Sequence, residues 1–552
     1  MGPKGSGSAR FAFKFDAMAA SDDPKSAGNG NGNHDLPFAR TLFEAADRLR
    51  GSVESAEYKH LVLGLIFLKY ISDCFERRRA LLEQWTRDPD HELFTEDDEE
   101  RAEILEDRDE YISENVFWVP AEARWSEIHK AATLPDIGPR LDKALEAIER
   151  ENPEQLRGVL PQIYGRAPIA PATLGELVNK IGEIGFGEDE EKARDYLGRT
   201  YEYFIKMFAK AEGHRGGEFY TPASVTKLLV EMLEPYQGRV FDPACGSCGL
   251  FIQSADFVKA HGGRTRSIAI YGQENNQATW RIGRMNLAIH GLSGDIKLGN
   301  SLLDDQFPSL RADFVLANPP FNMKAWGAAQ VQGDARWKYG TPPDSNANYA
   351  WIQHFVAHLA PDGRAGFVLA NGSLTTNTGG QGEIRKKIIE DDLVDCIVAL
   401  PPRLFFTTGI PVCLWFLDRN KASSGERDRR GETLFIDARQ MGHKISRTQI
   451  ELSDDEIARI ADAYHAWRGQ ADASEYSDEP GFCAAVTLDD IKAADFTLSP
   501  GRYVGAPEEE EDEIAFEERM ATLVEQLGAE MAENARLGAE VRKSLEALGY
   551  EL

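Results

Sequence analysis

The chain has 552 residues, of which 42% are hydrophobic, and its formal net charge at pH 7 is -29. Length and composition predict a globular protein of two or three domains. The acidic balance argues against a protein that grips duplex DNA by itself, because phosphate binding usually needs a basic surface. The six cysteines are scattered apart from one Cys-x-x-Cys pair, which argues against a disulfide framework. The longest apolar run of the first half, Leu61–Leu68, is too short to span a bilayer. We therefore expect a cytoplasmic protein.

The first segments in chain order are a disordered tail and a helical domain. Residues 1–35 are rich in Gly, Ser, Asn and Asp and are predicted to be disordered. From residue 36 to residue 165 apolar residues recur at helical spacing, as at Leu61, Leu65 and Leu68. This spacing predicts an all-helical N-terminal domain.

Between residues 170 and 500, short apolar runs alternate with helical segments. Strands are predicted at Val240–Phe241, Ser267–Tyr271, Ile296–Leu298, Asp313–Ala317, Ala365–Ala370, Cys396–Leu400, Val412–Leu417 and Leu434–Asp437. The alternation predicts a Rossmann-like α/β domain with a parallel sheet, whose ligands bind at the carboxyl ends of the strands. Because no helix separates the last two runs, we expect them to form an antiparallel hairpin at the sheet edge.

Residues 508–552 begin with an acidic run and are predicted to continue as a helical tail. Apolar residues repeat there at spacings typical of a coiled-coil seam. They are Phe516, Met520, Leu523, Leu527, Met531, Leu537, Val541, Leu545 and Leu548. We expect the tail to contact another subunit, and packing onto the chain's own N-terminal domain is the alternative.

A turn of small residues, Asp242-Pro243-Ala244-Cys245-Gly246-Ser247-Cys248-Gly249, follows the first predicted strand. Its backbone N–H groups can approach a ligand closely, because glycine has no Cβ. Glu274 ends the next strand, where a carboxylate can accept both ribose hydroxyls of a nucleotide-like cofactor. Taken singly, a structural turn and an acid at a helix start are the alternatives.

Two segments near this turn have both a functional and a structural interpretation. Cys245 and Cys248 form a Cys-x-x-Cys pair, but a structural zinc site needs about four ligands and no second pair lies at ligand spacing, so we predict no metal. Upstream, Arg215–Pro222 combines glycines, aromatics and a threonine, which suits a loop that folds over a ligand. A helix-entry turn with Pro222 near the first helical position explains that loop equally well.

The tetrapeptide Asn318-Pro319-Pro320-Phe321 ends the fourth predicted strand. The Asn318 carbonyl oxygen and the Pro319 backbone carbonyl can accept the two hydrogens of a planar amino group such as adenine N6. The prolines stiffen the loop, and Phe321 offers a face for an extruded base. An Asn-Pro turn with a core phenylalanine is the alternative. Together with the upstream turn, the motif predicts an S-adenosylmethionine-dependent methyltransferase.

With these residues the chain resembles the modification (methyltransferase) subunits of type I restriction-modification systems, from about Leu42 to about Trp467. The segments that carry the resemblance are Leu63–Tyr70, Gly217–Pro222, Asp242–Ser247, Tyr271–Glu274, Met285–Gly291, Asn318–Phe321, Asn348–His354 and Thr408–Phe416.

The resemblance implies methylation of adenine N6 in double-stranded DNA from S-adenosyl-L-methionine. It also implies that two such subunits assemble with one specificity subunit, which a restriction subunit can join, in a complex that protects host DNA. An external specificity subunit accounts for the acidic charge. The implied catalytic residues are Asn318, Pro319, Pro320 and Phe321, and the implied cofactor-site residues are Glu218, Phe219, Tyr220, Thr221, Pro222, Ala223, Ser247, Cys248, Gly249 and Glu274.

The chain departs from the family pattern at two candidate cofactor-site positions. Cys248 stands where a Gly or Ala is usual, and Asn300 where an acidic residue is common. One alternative function is a methyltransferase of protein glutamine amides, which uses a similar motif, although Phe321 and the large helical domain favour DNA. The other is an assembly scaffold inactivated through Cys248, against which the retained Asn318 and Glu274 argue.

Overall fold

The computed structural model describes residues 55–183, 190–212, 221–405, 409–422, 426–446, 449–471 and 473–506, and short stretches between 520 and 543. Three predictions lie outside the described residues. They are the disordered segment 1–35, most of the tail 508–552, and the cofactor-site residues Glu218, Phe219 and Tyr220.

The first part of the described chain is helical, as the spacing of its apolar residues predicts. The helices are α1 Ser55–Trp85, α2 Asp98–Leu105, α3 Asp109–Ile112, α4 Trp125–Lys130, α5 Ile137–Glu151, α6 Pro153–Leu156, α7 Pro171–Gly182 and α8 Glu190–Glu212. Helix α1 lies at the centre, with Leu61, Leu65 and Leu68 fully buried. A helix that is apolar over most of its circumference is stable only inside such a bundle. No helix of the described residues is long and apolar enough to cross a membrane.

The helical core extends beyond residue 165. Leu177 of α7 and Phe204 of α8 belong to the same buried cluster as α1, together with Met285 from a later helix. Helices α7 and α8 therefore pack against the N-terminal bundle and also lead into the sheet. The boundary between residues 165 and 170 stays a prediction.

The second part of the chain forms a twisted α/β structure around a sheet of nine strands. The strands are β1 Gly238–Asp242, β2 Ile268–Glu274, β3 Gly294–Leu298, β4 Ala312–Ala317, β5 Leu359–Ala370, β6 Val394–Ala399, β7 Val412–Asp418, β8 Glu432–Asp437 and β11 Cys483–Thr487, with a separate pair β9 His443–Lys444 and β10 Ile450–Glu451. The helices are α9 Ala223–Leu233, α10 Gly249–Ala260, α11 Gln277–Ile289, α12 Asn348–His358, α13 Gln381–Glu390, α14 Asp454–Arg468 and α15 Leu488–Ala493. The predicted fold class, an α/β sheet preceded by a helical region, is confirmed.

The expected hairpin between the last two predicted strands is wrong. The strand order is β11-β8-β6-β7-β5-β4-β1-β2-β3, so β7 lies between β5 and β6 and pairs antiparallel with both. Strand β8 pairs parallel with β6 and antiparallel with β11, which was not predicted. All seven residues of β7 are buried, and a strand buried on both faces belongs in the interior of a sheet. The absence of an intervening helix does not determine which strands pair.

The strand order reverses between β4 and β1. Strand β1 pairs parallel with β2 on one side and with β4 on the other. At such a switch point the loops that leave the carboxyl ends of the strands diverge and open a crevice. Asp242 ends β1, Glu274 ends β2 and Asn318 follows β4, so the sheet brings both sequence motifs to this crevice.

Candidate active site

The turn after β1 is held by backbone and side-chain hydrogen bonds on both flanks. The Asp242 carboxylate accepts the N–H of Ala244 at 2.9 Å, and the N–H of Cys245 donates to the carbonyl of Gln273 on β2 at 3.1 Å. Gly246 then adopts a left-handed φ of 51°, which glycine takes without strain. The turn therefore leads directly into the N-terminus of α10, with its small residues facing the crevice.

Helix α11 packs against the back of this turn. A Cβ on Gly283 would lie 2.7 Å from the carbonyl oxygen of Gly246 and 2.8 Å from Sγ of Cys248, so only glycine allows this approach. The close approach lets Nδ2 of Asn286 donate to the carbonyl of Ser247 at 2.9 Å. The turn is thus fixed from behind by a helix.

Glu274 connects the turn to the next helix. Its Oε2 accepts the N–H of Gly246 at 3.1 Å, and its Oε1 accepts the N–H of Asn276 at 2.7 Å. Asn276 in turn caps the N-terminus of α11. A carboxylate has about four lone-pair sites, so Glu274 can accept more than one donor at a time.

Asp242 has an unusual charge state. Burial raises the pKa of Asp242 to about 8, the hydrogen bond from Ala244 opposes the rise, and the negative charge of Glu274 adds to it. At neutral pH the side chain is therefore mostly protonated. A positively charged group placed beside it would favour the ionised form.

Asn318 is buried, and its side-chain amide has a defined orientation. Its Nδ2 donates to the hydroxyl of Thr221 at 2.8 Å, and its Oδ1 has no hydrogen-bond partner among the described residues. A buried acceptor without a partner is costly unless a ligand satisfies it. Asn318 therefore presents a free acceptor at the carboxyl end of β4, as the sequence motif predicts.

The loop after the tetrapeptide is fixed by an asparagine network that the sequence analysis missed. Asn322 has a left-handed φ of 53°, and its N–H donates to Oδ1 of Asn348 at 2.9 Å. Its own Oδ1 accepts from Nδ2 of Asn348 at 3.0 Å and of Asn346 at 3.1 Å. The network attaches the loop to the N-terminus of α12. Phe321 contacts Phe405 edge to face, with ring centres 5.8 Å apart.

Two adjoining cavities bring most of the predicted residues together. The larger has a volume of about 360 Å³, and the predicted residues that line it are Gly246, Ser247, Glu274, Asn300, Asn318 and Pro320. The smaller has a volume of about 90 Å³, and Thr221, Ala223, Asp242 and Gly249 line it in addition. Pro222, Cys248, Pro319 and Phe321 do not line either cavity. Pro222 instead occupies the N-cap position of α9, and Pro319 is buried.

A family model described as N-6 DNA Methylase matches residues 192–512, which is more than half of the chain. The chain belongs to the N-6 DNA methylase family. A second model, described as HsdM N-terminal domain, matches residues 38–181. The predicted resemblance to type I modification subunits is thereby confirmed.

Individual relatives of this N-6 DNA methylase agree with that assignment. The type I restriction enzyme MjaIX methylase subunit of Methanocaldococcus jannaschii is 41% identical over 93% of this chain and 92% of its own length. The HindI methylase subunit of Haemophilus influenzae is 45% identical over 78% of this chain and 100% of its own length. A type I methyltransferase subunit from Streptococcus thermophilus shares the fold, with a TM-score of 0.68 at 24% identity over 85% of this chain and 99% of that one.

The N-terminal bundle of this methylase forms one wall of the larger cavity. Lys59 and Leu63 of α1 and Ile205 and Phe208 of α8 line it opposite the turn after β1. Lys59 is buried, with 6% of its surface exposed. The sequence gives one weak signal for this wall, a lysine next to the apolar run of α1. Trp351 of α12, from a segment that carries the family resemblance, also lines the cavity.

The side chain of Asn300 lines the larger cavity and also accepts hydrogen bonds from nearby backbone groups. Its Oδ1 accepts the N–H groups of Leu302 at 3.0 Å and Leu303 at 3.3 Å. These bonds direct the amide oxygen toward the backbone. In this methylase Asn300 can therefore offer a ligand its amide hydrogens, and an acidic residue could offer only acceptors.

A buried cluster of Asp305, His354 and His358 has metal-ligand residue types but is better explained by hydrogen bonds. Nη1 of Arg336 lies 2.9 Å from Nδ1 of His354 and donates to it, so Nε2 of the neutral ring carries the proton and cannot bind a metal. Burial lowers the pKa of His354 well below its usual value, which keeps the ring neutral. Burial tends to raise the pKa of Asp305, but the neighbouring His358 outweighs burial and holds this pKa below its usual range.

We expect Cys248→Gly to be tolerated. Cys248 has a left-handed φ of 64°, which glycine adopts freely, and its buried thiol lines neither cavity. The substitution relieves backbone strain, which stabilises the turn, and removes the packing of the thiol, which destabilises it. Cofactor affinity, measured by calorimetry, should stay within about threefold of wild type. If affinity disappeared while thermal unfolding was unchanged, the thiol would have a direct role in the site.

Proposed function

We propose that this chain transfers a methyl group from S-adenosyl-L-methionine to adenine N6 of double-stranded DNA, as the modification subunit of a type I restriction-modification complex. One observation carries the proposal. Asn318 follows β4 and lines the same cavity as Gly246 and Glu274, and its Oδ1 has no hydrogen-bond partner in the described part of the chain. A group that accepts from an amino donor thus lies beside a turn suited to a nucleotide-like cofactor.

On the target side, Asn318 supplies the acceptor that the reaction needs. The lone pair of adenine N6 is delocalised into the ring, which makes the nitrogen a poor nucleophile. Acceptance of its hydrogens by Oδ1 of Asn318 and the carbonyl of Pro319 would favour a pyramidal nitrogen and stabilise the positive charge that develops on it. Thr221 holds the amide with its oxygen available, so the acceptor is oriented before the base arrives.

On the cofactor side, the residues present fit S-adenosyl-L-methionine. Glu274 ends β2 at the larger cavity, where a carboxylate can accept ribose hydroxyls, and the N-terminus of α10 favours a carboxylate. Asp242 offers an acid that can ionise beside a cation. When bound, the cofactor supplies an activated methyl group on a sulfonium. We also assign Glu218, Phe219, Tyr220, Thr221, Pro222 and Ala223 to this side.

Methyl transfer itself gives the direct test. The purified chain, assembled with a type I specificity subunit, should transfer labelled methyl groups to duplex DNA, and the product nucleoside should be N6-methyladenosine in deoxy form by chromatography. Label on protein glutamine would favour the glutamine-amide alternative, and no transfer by a cofactor-bound complex would favour the inactive scaffold. Neither alternative gains support from family membership.

We expect cofactor binding to release a proton from Asp242. At pH 7 the side chain is mostly protonated, because its pKa is about 8, and a cationic ligand lowers that pKa. Wild type should release up to about one more proton per bound cofactor than Asp242→Asn. Calorimetry in two buffers with different ionisation enthalpies measures the difference. Equal proton release by the two proteins would remove Asp242 from the vicinity of the cofactor's positive charge.

We further propose that two copies of the chain bind one specificity subunit through the tail, residues 508–552, and that a restriction subunit can join. The described apolar residues of the tail are exposed. They are Met520, Val524, Leu527, Met531, Leu537 and Val541. Since none of these is buried against the N-terminal bundle, a partner surface is the better explanation of the seam. A partner that reads the bases also fits the net charge of -29 and a cytoplasmic enzyme acting on DNA.

Deletion of residues 508–552 should abolish binding of the specificity subunit and preserve cofactor binding. Leu527→Glu combined with Met531→Glu should have the same effect, because each places a charge in an apolar contact. Ala532→Glu, a charge on a neighbouring helical position, is the matched control. Co-purification and calorimetry give the two readouts. Loss of the fold on deletion would favour the intramolecular alternative, and tight sequence-specific DNA binding by the lone chain would contradict delegated recognition.

A further inference from the structure

Asn286 is the most completely buried polar residue of the smaller cavity that has no assigned role. It lies on α11, with 1% of its surface exposed, and it lines the cavity of about 90 Å³ together with Asp242, Ser247 and Gly249. The sequence places it in Met285–Gly291, a segment that carries the family resemblance without an assigned function.

The orientation of the Asn286 amide follows from its one side-chain hydrogen bond. Nδ2 donates to the carbonyl oxygen of Ser247 at 2.9 Å. A carbonyl only accepts, so the nitrogen must face Ser247 and the oxygen must face away from it. That oxygen is buried and has no hydrogen-bond partner among the described residues. Buried acceptors are normally satisfied, and a ligand in the cavity that Asn286 lines can supply the donor.

The groups around the cavity define what kind of ligand donor fits. The Asp242 carboxyl and the Asn286 oxygen are acceptors, while the N-terminus of α10, which begins at Gly249, presents backbone donors and a positive dipole end. An ammonium suits the acceptors, and a carboxylate suits the helix N-terminus. A ligand end that carries both groups on one carbon is an α-amino acid.

We propose that Asn286 binds the cofactor, with its Oδ1 accepting a hydrogen bond from the α-ammonium of the methionyl group. This inference rests on the proposed cofactor, S-adenosyl-L-methionine. It assigns the smaller cavity to the amino-acid end and leaves the adenosine end to the larger cavity, where Glu274 and Asn300 lie. The rival role is purely structural, in which Asn286 only holds the turn through Ser247.

Two ligands separate the proposed contact from the structural role. S-adenosyl-L-methionine carries the ammonium, and 5′-methylthioadenosine lacks the whole amino-acid end and keeps the nucleoside. The ratio of their affinities cancels any general loosening of the turn, because both ligands need the turn. Asn286→Ala should lower this ratio about tenfold or more, which is the loss of one hydrogen bond to a charged group.

Asn286→Asp is the matched variant. It keeps an acceptor for the ammonium and loses the donor to Ser247, so both affinities should fall while their ratio stays within about threefold of wild type. An unchanged ratio in Asn286→Ala, whether both affinities fall or neither does, would overturn the inference. Wild-type protein that binds 5′-methylthioadenosine but not S-adenosyl-L-methionine would overturn the proposed cofactor, and the inference with it. Thermal unfolding of each variant verifies the fold.

Discussion

Replacement of Asn318 with alanine is expected to lower methyl transfer about 100–1,000-fold, which is the typical effect of removing one preorganised polar contact from a transition state. Cofactor affinity and thermal unfolding should change little. The reason is the placement of the amide, whose nitrogen donates to Thr221 while its oxygen has no hydrogen-bond partner among the residues that the structure describes. The side chain therefore acts on the target amino group. Its hydrogen bond to Thr221 is the one contact through which the substitution could affect the described fold.

Thr221→Val tests how much of this effect depends on orientation. Valine keeps the size of the side chain and removes the hydroxyl that accepts from Nδ2 of Asn318. The amide can then rotate, so we expect a loss of rate smaller than that of Asn318→Ala. Single-turnover kinetics with saturating cofactor separate this rate from binding. Asn318→Ala that retained more than about a tenth of wild-type turnover would contradict the catalytic role.

The sequence predicts the centre of the site because its chemistry is local. Asp242–Gly249 and Asn318–Phe321 each follow an apolar run, and a parallel sheet brings the carboxyl ends of such runs to one edge. Glu274 follows the same rule at the end of β2. Three separate segments could therefore be assigned to one crevice without any knowledge of their tertiary contacts.

The residues that sequence reasoning missed depend on packing between distant segments. Lys59 and Phe208 reach the cavity only because the N-terminal bundle docks beside the sheet, and helical spacing gives no sign of that docking. Asn322 and Asn348 are separated by 26 residues, and Nδ2 of Asn348 donates to Oδ1 of Asn322. Neither residue belongs to a local pattern that predicts a partner.

The position of β7 shows the same limit for strands. Its residues 412–417 are uniformly apolar, and the structure buries all of β7, including the final Asp418. Such a run predicts a buried strand but carries no information on direction or neighbours. The antiparallel insertion of β7 between β5 and β6 depends on pairing with strands that lie elsewhere in the chain.

Glu274→Ala is expected to produce the largest loss of cofactor affinity. The carboxylate can make one or two charge-assisted hydrogen bonds to ribose hydroxyls, each contributing roughly 1.5–3 kcal/mol, or about 10–100-fold in affinity. It also accepts the N–H groups of Gly246 and Asn276, so its removal loosens the turn that faces the ligand. Both effects act in the same direction, and calorimetry with the assembled complex measures their sum.

Two further variants separate charge from hydrogen bonding at this position. Glu274→Gln keeps one acceptor oxygen but directs an amide group at the N–H of either Gly246 or Asn276, so its affinity should lie between those of wild type and Glu274→Ala. Asp295→Ala removes one negative charge from an exposed position on the neighbouring strand β3 and should leave affinity within about threefold of wild type. If Glu274→Ala bound the cofactor as tightly as Asp295→Ala, the carboxylate would have only its structural role of joining the turn to α11.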